Sequence, residues 1–185
     1  LFSDTVGNVI GPLLGYEVLT AFFLEASFLG IMLFGWGRVS KKMHFASTVI
    51  VAVGTLISAF WILSANSWMQ TPQGFEIRAD GLFYPTSWFE IVFNPSFPYR
   101  FFHMILAAYL TTAFVVGGTA AFYMIKGIHL KHAKVMFGMA MLMAVFAAPL
   151  QLLIGHAHGE NTMEYQPTKV AAMEGNWETG ANKPL

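Results

Sequence analysis

Hydrophobic residues are gathered into four long runs along the chain, separated by shorter stretches rich in polar residues. A helix needs about 20 mostly apolar residues to cross the hydrocarbon core of a bilayer, and each run is about that long. The pattern therefore predicts an all-α fold, a polytopic transmembrane bundle of four spanning helices. These are helix a at about residues 12–36, helix b at about 45–66, helix c at about 99–125 and helix d at about 135–155.

Proline and glycine positions refine this prediction. Pro12 has no backbone N–H to leave unpaired, so it suits the first turn of helix a. Pro149 lies late in helix d, where proline is expected to kink or end the helix. Gly117 and Gly118 would let a neighbouring helix approach helix c closely.

Composition agrees with a membrane protein. Hydrophobic residues make up 56% of the chain and charged residues 11%, with a mean hydropathy of +0.56, whereas soluble domains carry about 25% charged residues. The net charge is zero, so the sequence lacks the basic excess of a nucleic-acid-binding protein. The chain has no cysteine, which excludes disulfides and thiolate metal sites.

The distribution of charge predicts the orientation of the helices. The a–b and c–d loops contain basic residues and no acidic ones, namely Arg38, Lys41, Lys42, Lys126, Lys131 and Lys134. The positive-inside rule places these loops in the cytoplasm. Residues 1–155 then form the transmembrane region, and residues 156–185 form an outward segment. The b–c loop, about residues 67–98, is expected along the outer surface, with Trp68 and Trp88 at headgroup level.

Two carboxylates lie within helix a. Placing such a group at the membrane centre costs about 2.5–3.5 kcal/mol on insertion scales, and the groups that persist there are usually functional. Glu17 and Glu25 are eight residues apart, which is about 12 Å along a regular helix and about 80° around it. They would occupy adjacent faces, as a proton relay or a polar wall beside a cofactor, or as carboxyls paired with another helix for assembly. Ser58 of helix b could reach the depth of Glu25, or bond to its own backbone.

Histidines offer two candidate sites. His103, one turn into helix c, could ligate haem iron through a ring nitrogen, or it could simply be hydrogen-bonded at the interface. His156 and His158 form an HxH pattern near Glu160, which could bind a metal or belong to a solvated loop.

The outward segment carries a cation, a carboxylate and an aromatic ring at Lys169, Glu174 and Trp177. Together these groups could bind a polar headgroup such as that of a quinol. The alternative interpretation is an amphipathic surface helix.

Four strings resemble a known family, and they occur in order over nearly the whole chain. They are GYEVLTAFFLEASFLG, SAFWILSANSWMQTPQG, RFFHMILAAY and GHAHGENTMEYQPTKVAAMEGNWE. The chain is similar to subunit I of the cytochrome bd-type quinol oxidases. The QTPQG motif and the short stretch after TKVAAMEGNWE resemble the cyanide-insensitive branch.

The resemblance implies roles for the polar residues of the spans. His103 matches an axial ligand of the low-spin b haem. Glu17 and Glu25 match the acidic pair beside the two-haem oxygen-reducing centre, and Glu25 with Ser58 matches a route for protons from the cytoplasm.

The resemblance also implies roles for residues at the helix ends. Asn66 and Trp68 fall in a motif near the haems, and Glu17 is likewise implied as a contact of the haem cofactors. Lys169 and Glu174 match quinol-site residues at the start of the quinol-binding loop.

The resemblance further implies the cofactors and partners of the whole oxidase. The cofactors are a low-spin and a high-spin haem b, with haem d or another b haem in the third position. The partners are subunit II, small subunits, quinol, oxygen and membrane lipid, in a bacterial inner membrane. Quinol would be oxidised on the outside and oxygen reduced to water with protons from inside, which builds a proton gradient in the aerobic respiratory chain without pumping.

The chain looks like the third to sixth helices of that family, and it starts at Leu1. We therefore read it as a central fragment, which by itself is not expected to assemble three haems or reduce oxygen. The rival hypothesis is a non-enzymatic membrane module, either a proton-linked transporter or an assembly subunit.

Overall fold

The computed structural model describes residues 2–175, most of them helical. Four helical stretches are long and apolar enough to cross a membrane: Phe2–Phe34, Lys41–Trp68, Trp88–Lys126 and Leu130–Tyr165. The predicted all-α polytopic bundle is therefore confirmed. The chain divides into two compact units, the first ending at Phe101 and the second beginning at Phe102.

The first span consists of three helical segments in direct succession. They are α1 at Phe2–Glu17, a π-helical turn at Val18–Phe22, and α2 at Phe23–Phe34. The predicted start at Pro12 is wrong, because Pro12 lies inside α1.

The signal for this earlier start is a helical spacing of apolar residues. Val6, Val9 and Leu13 occupy positions i, i+3 and i+7, which share one helix face. That face is buried, with Val9 0% and Leu13 1% exposed. Packing on this face therefore stabilises a helical segment that also contains Gly7, Gly11 and Pro12.

Helix α3 spans Lys41–Trp68. It starts about one turn before the predicted range because Ser40 caps it, the Ser40 side chain accepting a hydrogen bond from the Met43 N–H at 3.2 Å. Such a cap satisfies one of the backbone donors that a helix start leaves unpaired.

The b–c region contains regular structure that the sequence did not predict. Strands β1 (Phe75–Ile77) and β2 (Phe83–Pro85) pair antiparallel, with Phe75 opposite Pro85, and α4 follows at Trp88–Val92. Three-residue strands are too short to give an alternating pattern.

Gly74 fixes the connection between this hairpin and α4. It has a φ of +69°, and a Cβ at this position would lie 2.5 Å from the Ser87 carbonyl oxygen. Only glycine combines this backbone conformation with such a close approach.

At the tip of the hairpin, the Leu82 N–H and then the Tyr84 hydroxyl donate hydrogen bonds to Asp80. These bonds lower the pKa of the Asp80 carboxyl, since they stabilise its charged form.

Trp68 lies at the centre of the core of the first unit. It is 1% exposed, and it packs in a cluster with Val6, Val9, Leu13, Ala65 and Ile91. Its indole N–H donates to the Gln73 carbonyl at 2.9 Å, and its ring meets Phe75 and Phe83 edge to face. The hairpin and α1 therefore cover Trp68, and its placement at headgroup level stays a prediction.

Replacing Trp68 with alanine is expected to destabilise the intact protein. Loss of a buried aromatic ring costs about 3–5 kcal/mol of unfolding free energy. Trp88, 45% exposed, is the matched control, and its replacement should cost about 1 kcal/mol or less. Thermal unfolding midpoints of the purified variants compare the two; equal midpoints would contradict the central position of Trp68.

The second unit contains the greater part of α5 (Phe97–Lys126), together with α6 (Leu130–Tyr165) and α7 (Pro167–Glu174). A Cβ at Gly117 would lie 3.2 Å from the Met141 side chain and 3.4 Å from the Ala140 Cβ. The predicted close helix contact is therefore confirmed at Gly117.

Helix α6 passes through Pro149 and continues to Tyr165. The predicted end of helix d at residue 155 is therefore too early, and Pro149 does not terminate the helix. His156 and His158 consequently lie in helix, and the expectation that they belong to a loop is wrong.

Candidate functional site

Glu17 and Ser58 meet across the contact between the first span and α3. The Ser58 hydroxyl donates a hydrogen bond to Glu17 Oε1 at 2.8 Å. Ser58 thus bonds to the neighbouring helix and not to its own backbone. The sequence suggested that Ser58 lies at the depth of Glu25, but its hydrogen-bond partner is Glu17. Both side chains are partly buried, so the bond is shielded from full solvation.

Glu25 packs against the backbone of α3 where that helix has no side chain. A Cβ at Gly54 would lie 3.1 Å from Glu25 Cγ, so glycine gives the glutamate the room it occupies. The Glu25 Oε1 atom is buried and has no hydrogen-bond partner among residues 2–175. A buried polar atom without a partner is costly, so this oxygen is a candidate to bind a proton, a water molecule or an ion.

The two carboxylates face one stripe of α3. Gly54 and Ser58 are four residues apart in one helix, and positions i and i+4 share a face. Glu25 packs on the first and Glu17 bonds to the second. The predicted placement on adjacent faces is therefore wrong.

The π-helical turn at Val18–Phe22 explains this correction. A π turn closes its hydrogen bonds from i to i+5 and so takes up one more residue than an α turn. Eight residues that include it rotate about as far as seven α-helical residues, about 700°, which is within about 20° of two full turns. Glu17 and Glu25 therefore project from the helix axis in nearly the same direction.

His103, on α5 in the second unit, faces α6. The side-chain amide nitrogen of Gln151 lies 3.0 Å from His103 Nε2, and a Cβ at Gly155 would lie 3.4 Å from the same nitrogen. Gln151 Oε1 is buried without a hydrogen-bond partner among the described residues. The ring of His158 is 5.9 Å from that of His103, centroid to centroid.

This environment fits an iron-ligating imidazole. A ring nitrogen that carries a lone pair can accept a hydrogen bond from an amide N–H, and the same kind of lone pair binds iron in haem proteins. On α6, Gly155 places no side chain against this nitrogen, and the side-chain amide of Gln151 lies 3.0 Å from it. His103 is therefore chemically suited to haem iron, which would take the place of the Gln151 amide at Nε2.

Asn66 borders a cavity of about 490 Å³ between α1 and α3. The cavity is lined almost entirely by apolar and small residues, among them Phe2, Val6, Ile10, Leu14, Ile62 and Ala65. Asn66 Oδ1 accepts a hydrogen bond from Arg100 Nη1 at 2.7 Å. Sequence reasoning missed Arg100, although a single basic residue in the first turn of a long apolar helix was a visible signal.

Lys169 and Glu174 both lie on α7, so the helical alternative for this segment describes its local structure. The Lys169 ammonium donates to Gln166 Oε1 at 3.3 Å. Five residues correspond to about 140° around a helix axis, so the two charged groups point in different directions. Trp177, the third residue of the predicted headgroup site, lies outside the described residues.

The HxH pattern brings one histidine to an acidic partner. His156 Nε2 is 3.4 Å from Glu160 Oε1, one turn apart on an exposed face of α6. Within residues 2–175, no three histidine or acidic side chains come together in a way that could hold a metal ion.

Comparison with known proteins identifies the family. A family model described as cytochrome bd terminal oxidase subunit I matches residues 1–185. The chain is 38% identical over 179 residues to cytochrome bd-II ubiquinol oxidase subunit 1 of Escherichia coli (strain K12), and 41% identical over 177 residues to cytochrome bd ubiquinol oxidase subunit 1 of Bacillus subtilis (strain 168). Each match covers 96% of this chain, but only 35% and 38% of the two relatives.

A solved structure shares the fold. The bd oxidase from Geobacillus thermodenitrificans superposes with a TM-score of 0.82 at 36% sequence identity. The match covers 97% of this chain and 41% of that one. The chain thus spans well under half the length of the relatives to which it is similar.

Proposed function

Because the chain belongs to the cytochrome bd terminal oxidase subunit I family, we propose that it forms part of a haem-carrying subunit that transfers electrons from quinol to oxygen. The observation that supports this best is the carboxylate pair on one stripe of α3, Glu17 bonded to Ser58 and Glu25 packed on Gly54. Oxygen reduction to water consumes protons, and a pair of membrane-buried carboxyls can deliver them.

His103 is the residue we propose as an axial ligand of a low-spin b haem. When bound, such a haem supplies one-electron transfer at a potential set by its axial ligands and surroundings. The chain would contribute the Nε2 lone pair and the space beside Gly155, and the Gln151 amide would give up its place at Nε2 to the iron. Asn66 and Glu17 remain predicted contacts of the haem groups, which include a high-spin b haem and a d haem or a second b haem in its place. Trp68, 1% exposed in the core of the first unit, has no free surface for such a contact, so that prediction is corrected.

Glu25, Ser58 and Glu17 form the proposed route for protons. Glu25 Oε1 is buried and has no hydrogen-bond partner within residues 2–175, so there it can accept a proton without first breaking a hydrogen bond. Ser58 holds Glu17 by donating its hydroxyl proton, and a hydroxyl can donate and accept in turn. Together they can pass protons from the cytoplasmic side toward the site of oxygen reduction.

Lys169 and Glu174 are the residues we propose for quinol oxidation. A cation can bind the quinol oxygen, and a carboxylate can accept its proton. Since the groups point in different directions from α7, they would contact different parts of the headgroup or of its surroundings. The remaining parts of the proposal are a second oxidase subunit as partner and a bacterial inner membrane as location, with the termini and the b–c loop outside.

The Lys169→Ala and Glu174→Ala variants test the substrate assignment in the intact oxidase complex. Each is expected to reduce quinol-dependent oxygen uptake about tenfold or more, since a positioned acid–base group contributes about 10²–10⁴-fold. Reaction of the chemically pre-reduced complex with oxygen should be unchanged. Glu160→Gln, on the exposed face of α6, is the control.

Two results would count against these proposals. Wild-type quinol kinetics in both variants would remove Lys169 and Glu174 from the quinol site. A wild-type complex whose visible spectrum lacks haem bands would favour a proton-linked transporter or an assembly subunit.

A further inference from the structure

We propose that Thr20 and Trp61 are positioning residues that hold the π-helical turn between the two carboxylates. This inference rests on the proposed role of Glu17 and Glu25 in proton delivery. It adds two residues to that role, neither of which carries a proton in it.

Thr20 interrupts the regular helix from within. Its hydroxyl donates to the Tyr16 carbonyl, one turn earlier, at 2.6 Å. A hydroxyl that bonds to the carbonyl at i−4 competes with its own backbone N–H for that acceptor, and such residues often bend helices. Thr20 therefore weakens the α-helical pattern where the π turn replaces it.

Trp61 fixes the same turn from α3. Its indole N–H donates to Thr20 Oγ1 at 3.0 Å, and its ring stacks on Tyr16 at 5.2 Å with an interplanar angle of 22°. One tryptophan thus contacts the side chains of both residues that the Thr20–Tyr16 hydrogen bond joins. Trp61 lies three residues after Ser58, so Glu17 and the π turn are held by neighbouring positions of α3.

The register of this turn decides the direction of the carboxylates. If residues Val18–Phe22 were α-helical instead of π-helical, the helix after them would be rotated by about 100° relative to the helix before them. Glu17 would keep its bond to Ser58, and Glu25 would leave its place against Gly54. The alternative is that Thr20 and Trp61 only join two helices and do not affect the carboxylates.

Thr20→Val in the intact oxidase complex separates these possibilities. Valine keeps the shape of threonine but loses both hydrogen bonds. Turnover is expected to fall about tenfold, because a misplaced functional group costs up to about 10²-fold, with the quinol KM and the haem spectrum unchanged. Thr20→Ser keeps the hydroxyl and should restore turnover. Thr112→Val is the matched control, since Thr112 bonds to the Ala108 carbonyl of its own helix at 2.9 Å.

Infrared difference spectroscopy measures the carboxyl band of Glu25 directly. This band would not shift if Thr20 only stabilised the fold. The carboxyl band that disappears in Glu25→Gln should shift in Thr20→Val and stay in place in Thr112→Val. If Thr20→Val does not assemble, Trp61→Phe keeps an aromatic ring, loses the donor, and should show the same shift.

An unshifted band with wild-type turnover would overturn the inference, and so would a loss in Thr20→Ser equal to that in Thr20→Val. Failure of the proposed function looks different: the wild-type complex would lack haem bands or quinol-dependent oxygen uptake. In that case the carboxyl band would still report whether the π turn positions Glu25.

Discussion

Replacing His103 with alanine is expected to abolish the low-spin b haem band in the reduced-minus-oxidised spectrum of the intact oxidase. Alanine offers no atom that can ligate iron, and haem b has no covalent anchor that would keep it in place. Quinol-dependent oxygen uptake should fall to background, because electrons would no longer pass through that haem. The measurement is the haem content and difference spectrum per purified complex.

His156→Ala is the matched control for this variant. His156 is a histidine of the same unit, on an exposed face of α6, with its Nε2 atom 3.4 Å from Glu160 Oε1. Its replacement should leave the haem spectrum at wild-type amplitude. A normal low-spin band in His103→Ala would end the proposal that His103 is the ligand.

The second large effect is expected for Glu25→Gln, which should reduce oxygen-reducing turnover by about 10²-fold or more, the usual contribution of a general acid or base. Glutamine keeps the size and the polar character of the side chain but cannot carry the proton. The haem spectrum should stay normal, since Glu25 packs against Gly54 on α3 and is not a proposed iron ligand. Steady-state oxygen uptake and proton uptake by the reduced complex measure the two effects.

Glu90→Gln supplies the comparison for this substitution. Glu90 is an exposed glutamate in the first turn of α4, and its amide variant should turn over at the wild-type rate. Unchanged turnover and proton uptake in Glu25→Gln would remove Glu25 from the proton route.

Much of the fold could be predicted because membrane insertion imposes a strong pattern on the sequence. Each span must satisfy its backbone polar groups internally, so a long apolar run means a helix. The ends of the helices were predicted less accurately than their number. Pro12 indicated a helix start, and Pro149 a kink or an end, yet both lie inside helices. The side chains that pack around such a residue, as at Val9 and Leu13, contribute free energy that a local rule does not include.

The candidate residues were visible for a similar reason. A carboxylate in an apolar run is conspicuous, so Glu17 and Glu25 could be selected without any structure. Arg100, Thr20 and Trp61 were not selected, because single polar residues near helix ends and aromatic residues in spans are common. Their importance depends on which atoms they contact in the fold. Arg100 bonds to Asn66, and Trp61 bonds to Thr20.

The sequence by itself determined the number of spans, the presence of two carboxylates in the first, and a histidine suited to iron in the third. The tertiary structure alone decided that the two carboxylates point to one stripe of α3. The spacing of two residues predicts the angle between their side chains around the helix axis only if every turn is α-helical. The turn at Val18–Phe22 is π-helical. A π turn is held by contacts with another helix, here through Trp61, and those contacts come from residues about forty positions away along the chain.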